Sequence, residues 1–166
     1  IKRTNLEFQG KVDAISRAEC VLETDLDGLV LDANDNYLKV MGYAIEEIRG
    51  KDQRMMLEPD VAQSEAYRQR SEGVSHGEFL SGEFKRIAKG GREVWLRATV
   101  NPILDPCGKP YKLVTYAMDV TEDKLRSIEV ENRLSAIERS QATIEFDMDG
   151  NVLTANANFL AVMGYT

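Results

Sequence analysis

The sequence predicts an α+β fold with an antiparallel sheet, and three observations carry that prediction. Two strand-like runs open the chain, a block of short helical runs follows, and three strand-like runs come after it. The strands are linked by hairpin turn signals, DLDG, Gly90-Gly91 and Asp105-Pro106-Cys107-Gly108. Helices grouped between hairpin-linked strands indicate α+β, whereas a doubly wound sheet alternates strand with helix. The third observation is a repeat. Residues 22–44 return as residues 144–166 at a constant offset of 122, with 14 of the 23 positions identical. A period of about 120 residues is too long for a solenoid unit, so the chain holds one whole domain and the start of its duplicate.

The elements follow in order. Residues 4–17 place Leu6, Phe8, Val12 and Ile15 at roughly helical spacing. Residues 20–25 and 29–32 form a β-hairpin around DLDG. Asn34 caps a short helix over residues 35–41, which Gly42 stops. A second short helix covers residues 45–50. A third opens at Glu58-Pro59-Asp60, with proline at a permitted early position and acids near the positive end of the helix dipole, and runs to Ser71. Period-two strands then begin at Gly82 and continue either side of Gly90-Gly91 and of the turn at residues 105–108. Thr121 caps a helix with Glu122 and Asp123 in its first turn. That helix carries Leu125, Ile128, Leu134 and Ile137 into the second copy. The domain plan is therefore a cap helix at 1–17, the first repeat at 18–121, a connecting helix at 122–140 and a truncated second repeat at 141–166. A quarter of a domain hides too little surface to hold a core. Phe146, Phe159 and Leu160 are expected to find cover on the first domain or a neighbouring chain.

Composition narrows the function. With 28 acidic against 21 basic residues the net charge is −7, opposite to what a nucleic-acid surface requires. No run approaches the ~18 apolar residues of a membrane span, and no signal-peptide pattern opens the sequence. Cys20 and Cys107 form no CxxC pair, so a reduced, cytoplasmic setting is expected. His76 is the only histidine, without a nucleophile elbow, and reads as a solvated loop residue. One His and two distant Cys do not make a zinc site. Gly90-Gly91 is a hairpin turn and lacks the phosphate-loop pattern, and Glu46-Glu47 is a solvated helix face. No catalysis is expected.

Several motifs together resemble a known family: the DLDG hairpin, Ala33 to Tyr43, Glu46 to Lys51, Ser81 to Trp95, NPILDPCGKPYKLV and the closing Asp119-Val120-Thr121. In this order they resemble the PAS domain, a sensory module of bacterial signalling proteins. The similarity covers about residues 18–121 and again 140–166. GEFLSGEFKRIAKGGREVW followed by NPILDPCGKP is most similar to tandem-PAS methyl-accepting chemotaxis receptors of the aerotaxis-like and biofilm-dispersal types. The resemblance implies a PAS fold: a five-stranded antiparallel sheet, flanking short helices, an internal pocket and signalling through terminal helices. It implies a cytoplasmic sensory or relay module that acts on the chemotaxis kinase complex through an output domain outside this chain. Three rivals stand beside it: a ligand-free dimerisation or spacer module, the input domain of a histidine kinase or cyclic-dinucleotide enzyme, and an FAD-binding redox or oxygen sensor.

The family's cofactors each make residue demands. Around GKDQRMM the light-sensing flavin branch has a photoadduct cysteine where this chain has Gln53, and its flavin-gripping amides fall at Arg86, Leu96 and Ala117. Unpaired polar edges of a buried ring cost about 1–3 kcal/mol each, which disfavours that mode. The redox-flavin type carries a tryptophan at the position of Ser71, beside Arg70. It also has a polar, positive pair where this chain has Leu57 and Glu58. Haem requires a proximal histidine on a central helix, and His76 lies too near the following strand. No cofactor is expected in this repeat, with FAD and then haem as the alternatives. Alternation predicts an apolar pocket lined by Phe84, Leu96, Ala98, Val100, Leu113, Thr115 and Ala117, with Met55 and Met56 from the helical side. These residues either fill the core or admit a small apolar or aromatic ligand, with Arg86 as its one polar anchor or else paired with Asp119 or another acid. On the other strand face Trp95 and Tyr116 need cover, which the helix with Leu6, Phe8, Val12 and Ile15 supplies from the same chain or from a partner, a homodimer being the preferred assembly. Asp119 and Thr121 would relay pocket changes into the next helix.

Overall fold

A computed structural model describes residues 10, 12 and 14–165. They divide into two compact units, with the boundary between residues 121 and 122.

The first unit is built on a five-stranded antiparallel sheet: β1 (Cys20–Thr24), β2 (Val30–Ala33), β3 (Leu80–Ile87), β4 (Glu93–Leu104) and β5 (Pro110–Asp119). Their spatial order is β2-β1-β5-β4-β3, so the first hairpin docks on the last strand and β3 forms an edge. Between β2 and β3 run four short helices, α1 (Asp35–Met41), α2 (Ile45–Ile48), α3 (Pro59–Ala62) and α4 (Glu65–Ser75). A 3-10 turn, Gln53–Met56, precedes α3.

Local chemistry sets these boundaries. Asn34 caps α1 by accepting from the Tyr37 amide, and Gly42 closes it at φ +73°, a left-handed conformation that other residues resist. The single helix expected from residue 59 to 71 is two helices. Ser64 ends α3 by donating to the Val61 carbonyl at 2.8 Å, then caps α4 by accepting from the Tyr67 amide at 3.1 Å. The second helix then extends to Ser75, past the expected stop at Ser71. Of the predicted N-terminal helix, residues 14–18 are helical, whereas Leu6 and Phe8 lie outside the described residues.

The core sits between the helices and one face of the sheet. Tyr37, Met41, Ile48 and Met56 pack there with Cys20, Leu22, Val30, Val94, Leu96, Ala98 and Ala117. Alternation along β4 is kept: Val94, Leu96 and Ala98 are buried while Glu93 and Arg97 are exposed.

Helix α5 (Thr121–Ser140) starts on the last residue of the first unit and belongs to the second from residue 122 on, followed by the hairpin β6 (Ile144–Phe146) and β7 (Val152–Ala155), then α6 (Ala157–Met163). None of the second unit's described residues is buried. The expected cover over its apolar face is incomplete: Phe146 is 55% exposed, and Phe159 and Leu160 are half-buried.

Candidate functional site

A cavity of about 240 Å³ lies between α4 and the strands β3, β4 and β5. The strand register explains its floor. Gly82, Ala98, Ala117 and Cys20 stand side by side across β3, β4, β5 and β1, and of this row of small residues Ala98 lines the cavity while Ala117 and Cys20 continue into the packed core. The next row, Leu80, Val100 and Thr115, continues the wall. Tyr67, Arg70, Ser71 and Val74 approach from α4, joined by Gln53, Val61 and Ser64. Gly82 has a further role. A Cβ there would lie 3.3 Å from the Phe84 ring tip, so the absent side chain is what lets the ring lean over the strand.

Six of the ten pocket residues expected from the sequence line this cavity: Phe84, Arg86, Ala98, Val100, Leu113 and Thr115. Four do not. Leu96 and Ala117 are packed in the solid core beside Cys20 and Val94, because the helices close over that end of the sheet. Met56 is fully buried there too, and its sulfur accepts the Tyr37 hydroxyl at 3.5 Å. Met55 points the other way and is 40% exposed, since the 3-10 turn puts consecutive methionines on opposite sides.

Trp95 also departs from expectation. Alternation places it on the outer face with Tyr116, yet it lines the cavity, as do Lys85, its partner across the ladder, and Glu83 two residues before that. All three lie on or beside the edge strand β3, where no further strand separates the two faces of the sheet. Tyr116 is half-buried on β5. Arg86 is not the sole polar group, because Gln53, Ser64, Arg70 and Ser71 share the lining. Nor does Arg86 pair with Asp119, whose carboxylate is engaged by Thr121.

Burial shapes the titration of nearby groups. The Tyr37 phenol is pushed up to about 12 by desolvation, with the Arg86 charge pulling the other way. Tyr67 is raised for the same reason, and Arg86 again opposes. The Cys20 thiol is pushed up to about 11 by burial, then by the negative charges of Asp119 and Glu19.

The cavity lining holds neither a thiol for a photoadduct nor a histidine for haem. Gln53 does line the cavity, but a photoadduct needs a thiol. Cys20 is buried in the core, Cys107 is exposed, and neither lines the cavity. His76 is exposed at the end of α4, its Nδ1 2.6 Å from the Glu72 carbonyl, and is not part of the lining either. Among the described residues no group of three His, Cys, Asp or Glu side chains comes together to hold a metal ion.

The cavity is wired to the end of the domain. The Trp95 amide donates to the Thr121 hydroxyl at 2.9 Å, and the Trp95 carbonyl accepts from the Val120 amide at 2.9 Å. Asp119 accepts from the Thr121 amide at 2.9 Å and from its hydroxyl at 2.5 Å. A cavity-lining residue therefore holds the first residue of α5 by its backbone. Asp119 and Thr121 were singled out in the sequence, whereas the hydrogen bonds that tie Thr121 and Val120 to Trp95 were not.

Where the chain enters the domain, beside the end of β5, sits a clamp that sequence reasoning missed. Beyond capping α1, Asn34 accepts from the Val21 amide at 2.9 Å and donates to the Ser16 and Glu19 carbonyls, both at 2.8 Å. Asn36 donates to the Arg17 carbonyl at 3.0 Å. The second unit repeats the arrangement. Asn156 donates to the Glu138 and Gln141 carbonyls and Asn158 to the Arg139 carbonyl, each 122 positions on. Each clamp satisfies the orphan carbonyls of the helix that enters its domain. The signal was available, because both asparagines recur among the identical positions of the repeat.

Comparison with known proteins agrees with this architecture. The profile described as the PAS fold matches residues 30–117. The biofilm dispersion protein BdlA of Pseudomonas aeruginosa is 47% identical over 152 residues, covering 92% of this chain and 36% of that protein. The aerotaxis receptor of Escherichia coli is 28% identical over 106 residues, covering 64% of this chain and 21% of the receptor. The chain thus spans about a third or less of these relatives. Among solved structures, a PAS domain from Colwellia psychrerythraea superposes with a TM-score of 0.60 at 21% identity, covering 69% of this chain and 98% of that one.

Proposed function

This chain belongs to the PAS fold family, and from that premise we propose that it is the sensory and relay module of a cytoplasmic chemotaxis-type receptor. The observation that carries the reading is Trp95, which lines the cavity and holds both Val120 and Thr121 through its backbone. A ligand that shifts β4 changes the seat of α5 directly. The change matters only to the extent that the ligand prefers one arrangement of that seat over the other. The 28% identity to an aerotaxis receptor supports the receptor context. No catalytic step belongs to this reading. Its output passes to the chemotaxis kinase complex through a domain outside this chain.

Two copies of the module meet through the N-terminal helix and the outer sheet face. Val12 and Ile15 are 39% and 44% exposed, and a helix stripe of this kind is stabilised when a second copy covers it. The pocket works with a colourless ligand, because Gln53 and His76 do not supply the contacts of a flavin or a haem.

The test is the visible absorption spectrum of the purified full-length protein, with mass spectrometry of whatever denaturation releases. A colourless protein that releases a small organic molecule is expected. A flavin or haem band that persists in the first repeat overturns the cofactor reading. A colourless protein that releases nothing, and takes up nothing added, favours the spacer module instead.

A further inference from the structure

The charges around the cavity are unevenly committed. Lys85 is engaged twice, by Glu58 at 2.7 Å and Glu93 at 2.6 Å. Glu83 is held by Arg97 at 3.0 Å, and Asp52 by Arg54 at 2.5 Å. These four acids thus already have a cation. Two lining cations, Arg70 and Arg86, make no hydrogen bond or ion pair among the described residues; Arg70 is exposed to water, whereas Arg86 is half-buried. The Arg86 guanidinium lies over the Phe84 ring at 5.8 Å from the centroid. That contact orients the fork but satisfies none of its five donors. A partly desolvated guanidinium without an acceptor is a binding site for an anion, and its planar fork matches a carboxylate.

The rest of the wall sets the other end of the ligand. Phe84, Ala98, Val100 and Leu113 offer apolar surface, and a second charged group facing them would lose its hydration without return. The volume of about 240 Å³ holds roughly eight water-sized groups at ~30 Å³ each, the size of one aromatic ring with a short side chain.

We propose that the cavity takes a small monocarboxylate with an aromatic or branched aliphatic body, its carboxylate on Arg86 and its body against Phe84, Ala98, Val100 and Leu113. This rests on the reading of the cavity as the sensory input and names its ligand class. Phe84 is a positioning residue, holding the guanidinium over the cavity, and Gly82 leaves the space that lets it do so.

Trp95 is the only tryptophan and lines the cavity, so its fluorescence reports occupancy. The 166-residue chain is titrated with phenylacetate, 4-methylpentanoate, phenylacetamide and inorganic phosphate. Saturable binding of at least one of the two carboxylates is expected. Phenylacetamide and phosphate should bind at least about tenfold more weakly, the usual worth of a charge-assisted hydrogen bond. Arg86→Gln should lose the carboxylate preference about tenfold while moving the urea midpoint little, because the side chain gives up no hydrogen bond or ion pair among the described residues and only the contact with the Phe84 ring. Arg86→Lys should recover part of it.

Equal affinity for acid and amide overturns the proposal, as does an unaffected Arg86→Gln or the absence of saturable binding by both carboxylates. Carboxylate binding that leaves amide exchange in α5 unchanged overturns the relay reading and leaves the ligand class standing. A different compound released from the purified protein overturns the ligand class and leaves the relay.

Discussion

Replacing Asn34 by alanine tests whether the clamp at the domain entrance holds the first unit together. The side chain makes four hydrogen bonds: it accepts from the Val21 and Tyr37 amides and donates to the Ser16 and Glu19 carbonyls. At a net worth of about 1 kcal/mol each, with the part-exposed Ser16 and Glu19 carbonyls regaining some of theirs from water, the loss comes to about 3–4 kcal/mol. Against a typical domain stability of about 5–15 kcal/mol that is a large fraction. Urea unfolding followed by Trp95 fluorescence reads it out. A slope of about 1.5 kcal/mol/M converts the loss into a midpoint shift of about 2 M. Asn34→Asp separates the two halves of the clamp. It keeps an acceptor for Val21 and Tyr37 but turns a carboxylate oxygen toward the two carbonyls, so a loss of about 2 kcal/mol is expected. Asn156→Ala is the internal control. Its clamp is equivalent, but no described residue of the second unit is buried, so the main transition should barely move. A loss below about 1 kcal/mol for Asn34→Ala would refute the reasoning, because the bonds would then be exchanged for water at no cost.

Three further outcomes are expected. Tyr37 and Cys20 have raised folded-state pKa values, about 12 and about 11. The folded state therefore keeps protons that the unfolded state loses, and stability falls as pH rises from about 9 to 12. Tyr37→Phe should flatten that fall at little cost at neutral pH, since the hydroxyl gives up only a methionine sulfur at 3.5 Å; urea titrations at pH 7 and 11 check it. A thiol reagent should modify exposed Cys107 quickly and buried Cys20 only on unfolding, and two fast thiols in the native protein would contradict that burial. Gly82→Ala puts a Cβ 3.3 Å from Phe84 and should displace the ring. Midpoint changes within about 1 kcal/mol are expected, because alanine also stiffens the strand. Carboxylate titration should show weaker binding.

Much of the fold was legible because its signals are local. The DLDG turn, Asn34 before α1, Gly42 after it and the alternation of Val94, Leu96 and Ala98 each report a backbone demand within a few residues. The break at Ser64 was less legible, since a serine that both ends and starts a helix reads like any solvated helical residue. The site was half legible for a different reason. Alternation tells which face a residue takes, and it correctly gave Phe84, Arg86, Ala98, Val100, Leu113 and Thr115. It says nothing of how far along the sheet the helices close, which is why Leu96 and Ala117 were expected in the pocket but fill the core. It also assumes a strand with neighbours on both sides. Trp95 lies beside the edge strand β3, where that assumption lapses. The asparagine clamp needed the repeat to be read as chemistry as well as ancestry.

The central claim is that occupancy of the cavity is felt at the first turn of α5 through Trp95, Val120 and Thr121. Hydrogen exchange of the chain with and without phenylacetate, compared with Thr121→Ala, tests it most directly. The account predicts that ligand changes protection of the Val120 amide and the first turn of α5. In Thr121→Ala the same ligand should still protect the cavity strands, but the response in α5 should be lost. Protection confined to the cavity strands in the wild-type chain, or an α5 response that survives Thr121→Ala unchanged, would contradict it.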